Sequence, residues 1–180
     1  ASAAVGPATL PGEARATQDL ALADLDGNGS LDVIFSNFKQ PSQIFLNSGD
    51  GTLRAPVDIA GSGNSSNRIA VGDLNGDGWL DLVQTSIFNQ ASQVYLNRAD
   101  GSGLLAAPAD IPGSGGALAV TYLGKIYGSG GPLGAALGDM NGDGRLDLVL
   151  SNGRGVQGGG GQLSLLYLNR LGASARLPNN

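Results

Sequence analysis

Short apolar runs recur in a fixed order along the chain, separated by glycine, asparagine and aspartate. Around the first acidic stretch these runs are Leu20–Ala23 and Val33–Phe35, and two later stretches are flanked in the same way. Runs of this length, rich in Val, Ile, Leu and Phe and bounded by turn residues, are typical of β-hairpins. No stretch carries apolar residues at helical spacing over three turns. The pattern therefore predicts an all-β fold.

The chain contains three copies of one unit. Its acidic stretches superimpose without gaps, and they cover Ala23–Asp32, Gly72–Asp81 and Gly138–Asp147. A second shared signature follows each stretch and ends in Leu-Asn, and its copies are Ser42–Asn47, Ser92–Asn97 and Ser164–Asn169. In the first two units an Ala-Pro segment comes next. These features predict four short antiparallel strands in each complete unit.

A unit of about 50 residues cannot bury both faces of its sheet alone and must stack on its neighbours, as the blades of a β-propeller do. Pro56 and Pro108 lack a backbone N–H, which predicts that the fourth strand lies at a sheet edge. The predicted boundaries are a stray outer strand and linker over 1–17, blade 1 over 18–66, blade 2 over 67–134 with a Gly-rich insertion at 113–134, and blade 3 over 135–180 without its outer strand.

Three blades are too few for a closed ring, because propellers typically have about four to eight. We therefore expect these blades to be part of a larger or oligomer-completed propeller. Two arrangements remain open: a head-to-tail homodimer that closes one ring, or the continuation of a longer repeat array. We favour the second, because open sheet ends would otherwise promote aggregation.

The amino-acid composition excludes several classes of function and of binding site. The 180 residues include no His and no Cys, which excludes Ser-His-Asp and Cys-His catalysis, the common zinc sites and disulfides. A formal charge of −5 argues against a nucleic-acid partner. No apolar run approaches the roughly 20 residues needed for membrane insertion as a helix.

The acidic stretches have the chemistry of a cation site. Each reads D-x-[DN]-x-[DN]-G-x-x-D, so side-chain oxygens at positions one, three, five and nine can converge, and the carbonyl at position seven can join them. Glycines at positions four and six permit the tight curvature. A set of oxygen ligands rich in carboxylates favours Ca²⁺. The alternative is that these turns only satisfy their own backbone. Because the pattern occurs three times, we predict three Ca²⁺ sites.

Both signatures resemble the FG-GAP/VCBS repeat, the blade unit of integrin α-subunit heads, certain fungal sugar-binding lectins and many bacterial and algal surface proteins. The resemblance covers about residues 18–178. It implies that the calcium loop joins the first two strands of each blade and is structural. The side-chain ligands that it implies are Asp24, Asp26, Asn28, Asp32, Asp73, Asn75, Asp77, Asp81, Asp139, Asn141, Asp143 and Asp147. The residues that it implies give main-chain oxygens are Ser30, Trp79 and Arg145.

The loops between the second and third strands should open on the opposite face. Their candidate ligand-binding residues are Phe38, Lys39, Phe88, Asn89 and Arg154. Aromatic rings beside amides suit stacking on sugars and hydrogen bonding to their hydroxyls. The alternative is that the two phenylalanines fill gaps between blades and that the charges are solvated.

We expect a calcium-stabilised adhesion or recognition module that is secreted or on the cell surface, with a protein or glycan partner on a cell surface or matrix. The alternatives are a glycan-binding lectin and the accessory propeller of a secreted enzyme. We do not expect the chain itself to be an enzyme, because most of its carboxylates lie in the metal loops. Asn64 begins an N-glycosylation acceptor sequence.

Overall fold

The structure is a computed structural model that describes residues 9–87, 90–112, 114, 121–122, 125–126, 132–152 and 164–169. These residues form strands, turns and irregular segments, with no helix among them. The all-β prediction is confirmed. Over the same ranges there is accordingly no helix long and apolar enough to cross a membrane.

Two four-stranded sheets and one three-stranded sheet make up the blades. Blade 1 contains β1 (Thr17–Ala23), β2 (Asp32–Asn37), β3 (Gln43–Phe45) and β4 (Val57–Asp58). Blade 2 contains β5 (Ser66–Gly72), β6 (Asp81–Ser86), β7 (Gln93–Tyr95) and β8 (Ala109–Asp110). A two-stranded hairpin of β9 (Thr121–Tyr122) and β10 (Lys125–Ile126) follows. Blade 3 contains β11 (Pro132–Gly138), β12 (Asp147–Asn152) and β13 (Leu165–Tyr167).

All three blades share one strand order and one register. Neighbouring strands are antiparallel and follow each other in chain order. The first two strands of each blade pair up to the edge of the acidic loop, at Ala23 and Asp32 in blade 1 and at Gly72 and Asp81 in blade 2. A register shift recurs near the start of each first strand. The repeated sequence therefore produces a repeated backbone.

The fourth strand lies at the sheet edge, as the prolines predicted. β4 begins directly after Pro56 and pairs only with β3, and β8 begins directly after Pro108 and pairs only with β7. Each of these strands has two residues and begins at the first residue after the proline, which cannot donate to the ladder.

The hydrophobic cores lie between blades. We call the face of a blade that points toward the preceding blade its leading face, and the opposite one its trailing face. The first core joins the trailing face of blade 1, with Ile34 and Ile44, to the leading face of blade 2, with Leu82 and Tyr95. The second core repeats this packing between blades 2 and 3. Its buried members are Val83, Ile111, Leu148 and Leu150.

The strands begin slightly earlier than the predicted blades. β1 starts at Thr17, β5 at Ser66 and β11 at Pro132, so the end of the predicted insertion at 113–134 belongs to the first strand of blade 3. The expected absence of an outer strand in blade 3 concerns residues 170–180, which lie outside the described residues.

The stray strand predicted within 1–17 is not formed by residues 9–16, and residues 1–8 lie outside the described part of the chain. A strand there would need a third strand of a preceding blade as its partner. The segment still occupies the equivalent place, because a methyl group on Gly12 would lie 3.0 Å from Pro56 Cγ, and one on Gly61 would lie 2.8 Å from Pro108 Cγ.

Candidate metal centres

Each acidic loop connects the first two strands of its blade. In blade 1, β1 ends at Ala23 and β2 begins at Asp32, so the loop comprises only residues 24–31. Gly27 and Gly29 have φ angles of 71° and 85°, in the left-handed region that favours glycine. The glycines at the same positions of the other loops also have positive φ: Gly76, Gly78, Gly142 and Gly144. The three loops therefore share one curvature.

Three carboxylates converge in the first loop. Asp24, Asp26 and Asp32 each offer an oxygen, and these oxygens lie within 4.8 Å of one another. Two such charges repel each other by roughly 3 kcal/mol at an effective dielectric constant near 20. Burial is the main cause that raises the pKa of Asp32, and the charges of Asp26 and Asp24 raise it further, although backbone N–H groups oppose the shift. A cation placed among these oxygens would relieve the repulsion.

The aspartate at position one holds the loop backbone. Asp24 accepts hydrogen bonds from the N–H groups of Asn28 and Gly29 at 3.1 and 2.8 Å. Asp73 and Asp139 accept the corresponding bonds in their own loops. The hydrogen bond from Gly144 is the main cause that lowers the pKa of Asp139. A carboxylate oxygen has two lone pairs, so these bonds leave capacity for a cation.

The aspartate at position nine connects its loop to the segment that follows the third strand. Asp32 is fully buried; one of its oxygens accepts the N–H of Leu25 at 2.8 Å and the other accepts that of Asn47 at 2.8 Å. Asp81 and Asp147 make the same pair of bonds in their blades. Burial, with a smaller contribution from the neighbouring carboxylates, raises the pKa of Asp81 to about 6.

The second and third loops exchange the residue types at positions three and five. Asn75 donates its side-chain amide to Asp77 at 2.8 Å, and Asn141 donates to Asp143 at 3.0 Å. The guanidinium of Arg145 also pairs with Asp143 at 2.7 Å. The third loop therefore carries a positive charge of its own beside the cluster.

In each loop the backbone N–H of the residue at position seven donates a hydrogen bond to the side chain at position five. The N–H of Ser30 donates to Asn28 at 2.8 Å, that of Trp79 donates to Asp77 at 2.9 Å, and that of Arg145 donates to Asp143 at 3.0 Å. The Trp79 ring also lies against the first loop, 3.2 Å from where a methyl group on Gly27 would stand. Trp79 therefore bridges the loops of blades 1 and 2.

Sequence reasoning missed the role of the asparagine that lies two residues after each third strand. The side-chain amide of Asn97 donates to Leu80 O within its blade at 3.3 Å and to Leu25 O in the loop of blade 1 at 2.9 Å. Asn169 repeats this with Leu146 O at 3.2 Å and with Leu74 O of blade 2 at 2.7 Å. The signal was the recurrence of asparagine at the end of all three signatures.

Two of the predicted ligand-binding residues lie together beside the start of blade 2. Phe38 is half-buried, and its backbone pairs with that of Ser65 in an isolated antiparallel β-bridge. The Lys39 Nζ lies 5.3 Å from the centroid of the Phe38 ring. The Lys39 N–H donates to Asn64 O, and the Asn64 side-chain amide donates to Gln93 at 3.3 Å. The other candidates, Phe88, Asn89 and Arg154, lie outside the described residues.

Two family models match the chain. The FG-GAP-like repeat matches residues 24–84 and the FG-GAP repeat matches residues 132–166, which together are more than half of the chain. No curated protein matches its sequence.

Among solved structures, the chain is similar to one described as the basis of specific recognition of non-reducing terminal N-acetylglucosamine by an Agrocybe aegerita lectin. The TM-score is 0.51 and the identity is 24%, over 84% of this chain and 35% of that one. This likeness concerns the fold, and the chain spans about a third of the lectin's length.

Proposed function

Since the chain belongs to the FG-GAP repeat family and has a propeller-type fold, we propose that it is a calcium-stabilised recognition module that works outside the cell and binds a glycan or protein on a cell surface or matrix. The observation that carries the calcium part is the convergence of three carboxylates in the first loop. Among the described residues, only the first loop brings three carboxylate oxygens this close together; the shared sequence pattern and positive-φ glycines of the loops in blades 2 and 3 extend the proposal to three sites.

The donor set fits Ca²⁺. Each loop offers three carboxylates and one side-chain amide, with no nitrogen or sulfur ligand from His or Cys, and hard cations prefer such oxygens. Asp24, Asp26, Asn28 and Asp32 would hold the ion in blade 1, and the equivalent residues would hold it in blades 2 and 3. The ion would supply positive charge that binds together the two strands entering and leaving the loop. Millimolar extracellular calcium suits sites with a Kd of roughly 10⁻⁴ to 10⁻³ M.

The recognition part has two supports. The similar solved structure is that of a lectin that recognises non-reducing terminal N-acetylglucosamine. Phe38 and Lys39 form an aromatic and cationic pair beside the start of blade 2. We therefore place a glycan as the first partner to test, with a protein partner as the alternative. An accessory role beside a secreted enzyme is compatible with the same binding function.

Calcium binding can be followed with Trp79, the single tryptophan of the chain, because its ring lies against the first loop. Calcium titrated into chelator-treated protein should change the emission of Trp79. Asp26→Asn should weaken the first site at least tenfold, whereas Asp50→Asn, in an exposed turn outside the loops, should leave the titration unchanged. Direct calorimetry counts the ions. The calcium proposal fails if calorimetry detects no binding at millimolar calcium.

Glycan binding can be tested on an array that includes terminal N-acetylglucosamine, with and without calcium. Phe38→Ala and Lys39→Ala should weaken binding, and Arg54→Ala, exposed in another part of blade 1, is the control. The sugars should be recovered intact, and shortened products would indicate an enzyme instead. Absence of binding to every glycan would direct the search to a protein partner.

A further inference from the structure

Blade 2 covers part of the acidic loop of blade 1. The indole ring of Trp79, at position seven of the second loop, lies against Gly27, at position four of the first: a methyl group on Gly27 would be 3.2 and 3.3 Å from two carbons of the ring. Gly27 lies between Asp26 and Asn28, two of the residues that would hold calcium in blade 1. The ring therefore packs on the backbone of a metal loop in the neighbouring blade.

The turn after the third strand of blade 2 contacts the same loop. This turn is two residues longer than its counterpart, because its closing bridge joins residues 97 and 105, whereas that of blade 1 joins residues 47 and 53. Gly103 lies in the longer turn, and a methyl group on it would be 2.7 Å from Leu46 Cδ2 and 3.2 Å from Asp26 Cβ. Blade 2 therefore supports the first loop at two adjacent residues, Asp26 and Gly27.

The joint between blades 2 and 3 differs in this respect. Position seven of the third loop is Arg145, whose guanidinium remains with its own blade: it pairs with Asp143 at 2.7 Å and donates to Asn169 O at 3.1 Å. In the part of the chain that the structure describes, no atom beyond its chain neighbours lies within 4 Å of a methyl group placed on Gly76, the counterpart of Gly27. Of these two joints, the one between blades 1 and 2 therefore has the ring contact.

Support of this kind affects how tightly a loop binds a cation. Mutual repulsion of the carboxylates of Asp24, Asp26 and Asp32 favours an open loop as long as no cation balances it. Packing of Trp79 on Gly27 opposes that opening and restricts the conformations of the free loop. A loop that is already held in its binding curvature loses less entropy when it takes up the ion, so its affinity is higher.

We propose that Trp79 is a positioning residue of the first calcium site, although it belongs to the second loop. The inference rests on the proposed calcium binding and adds a determinant of affinity that lies outside the loop it acts on. Both loops offer three carboxylates and one amide, yet the first should bind calcium more tightly than the second. Residues that orient metal ligands typically change metal affinity by about 10- to 100-fold when they are replaced, so loss of the indole ring should weaken the first site about tenfold.

Two double variants isolate the sites. Asp77→Asn with Asp143→Asn leaves the first site intact, and Asp26→Asn with Asp143→Asn leaves the second. Calorimetry on the first-site chain should show that Trp79→Ala raises the Kd for calcium about tenfold, and that Trp79→Phe restores most of the affinity because a phenyl ring still covers the first loop. In the second-site chain, Trp79→Ala should leave the Kd unchanged, since residue 79 is expected to offer that loop only its main-chain oxygen. Arg145→Ala in the second-site chain is the matched control at the next joint and should also leave the Kd unchanged.

Terbium luminescence gives a spectroscopic readout that a general loss of stability would not reproduce. Tb³⁺ takes the oxygen ligands of Ca²⁺, and an indole ring sensitises its emission only at short range. Excitation of Trp79, the single tryptophan, should therefore sensitise terbium in the first-site chain as well as in the second-site chain. A chain that keeps only the third site, through Asp26→Asn and Asp77→Asn, should show far weaker sensitisation, because the ring lies on the blade 1 side of the second loop.

Gly103→Ala is a second variant if Trp79→Ala does not fold by circular dichroism. Its methyl group displaces Asp26 and should raise the Kd of the first site, whereas Gly101→Ala, whose methyl group would meet only the Trp79 ring at 4.0 Å, should not. Both glycines have positive φ, so the two variants share the backbone strain. An unchanged Kd of the first site, an equal rise in both chains, or a first-site chain that binds terbium without sensitised emission would each overturn this inference and leave calcium binding intact. Absence of calcium binding by the unaltered chain would overturn the proposed function, and this inference with it.

Discussion

The side-chain amide of Asn97, two residues after the third strand of blade 2, donates a 2.9 Å hydrogen bond to the carbonyl oxygen of Leu25 in the acidic loop of blade 1. Asn169 makes the same bond to Leu74, one blade further along. Each of these two loops is therefore held by its own ninth-position aspartate and by the asparagine of the following blade. The shape of the acidic loop therefore depends on the stacking of the blades.

We expect Asn97→Ala to cost more stability than Asn47→Ala. Both amides accept the N–H of the residue two positions later and donate within their own blade, but Asn97 also donates to Leu25 of blade 1. Urea denaturation should show an additional loss of about 1–2 kcal/mol for Asn97→Ala, because it leaves a carbonyl without its partner. Equal losses would show that the bond between blades adds nothing.

Asp32 and Asp26 belong to the same carboxylate cluster but should respond differently to the same isosteric change. Asp32 uses both oxygens to accept backbone N–H groups, so Asp32→Asn leaves one N–H facing an amide NH₂. Asp26 accepts one backbone N–H, which asparagine can still accept. In chelator, Asp32→Asn should lower the free energy of unfolding by about 2–3 kcal/mol. Asp26→Asn keeps its backbone hydrogen bond and removes a charge that repels Asp24 and Asp32, so it should not lower the free energy of unfolding. A similar loss for both would mean that the ninth-position carboxylate is only a metal ligand.

The strand order could be predicted from sequence because its signals are local and repeated. Pro56 and Pro108 indicate the edge strands, and the acidic stretches indicate the turn between the first two strands of each blade. Three aligned copies separate such signals from chance. The same repetition located the carboxylates that converge in blade 1.

The contacts between blades were harder to predict from the sequence than the strand order, because the partners lie far apart along the chain. Asn169 and Leu74 are 95 positions apart, and nothing in either local pattern names the other. The start of β11 at Pro132 also escaped prediction, since its pairing with Asn152 is set by the ladder rather than by an apolar run. A repeated pair of serine hydrogen bonds was not predicted either. The hydroxyl of Ser62 accepts the backbone N–H of Ser42, and the hydroxyl of Ser114 accepts that of Ser92.

Removal of calcium should lower the melting temperature. With free calcium of about 2 mM and a Kd near 10⁻⁴ M, each site contributes roughly 1.8 kcal/mol, and three contribute roughly 5 kcal/mol. In a chain of this size, that corresponds to about 10–20 °C. Scanning calorimetry in calcium and in excess EGTA measures the shift, and magnesium should restore little of it. Coincident melting curves in the two solutions would contradict structural ions.

Gly61 and Gly51 provide a matched pair for the joint between blades 1 and 2. Their φ angles are 79° and 84°, so alanine at either position meets the same backbone strain, about 1 kcal/mol. A methyl group on Gly61 would in addition lie 2.8 Å from Pro108 Cγ, whereas one on Gly51 would have no atom within 4 Å. The Pro108 ring is rigid and precedes the edge strand of blade 2, so Gly61→Ala must displace that strand. Urea denaturation should show an extra loss of about 1–3 kcal/mol for Gly61→Ala over Gly51→Ala. If the two variants unfold at the same urea concentration, the contact between Gly61 and Pro108 does not hold the outer strands of neighbouring blades together.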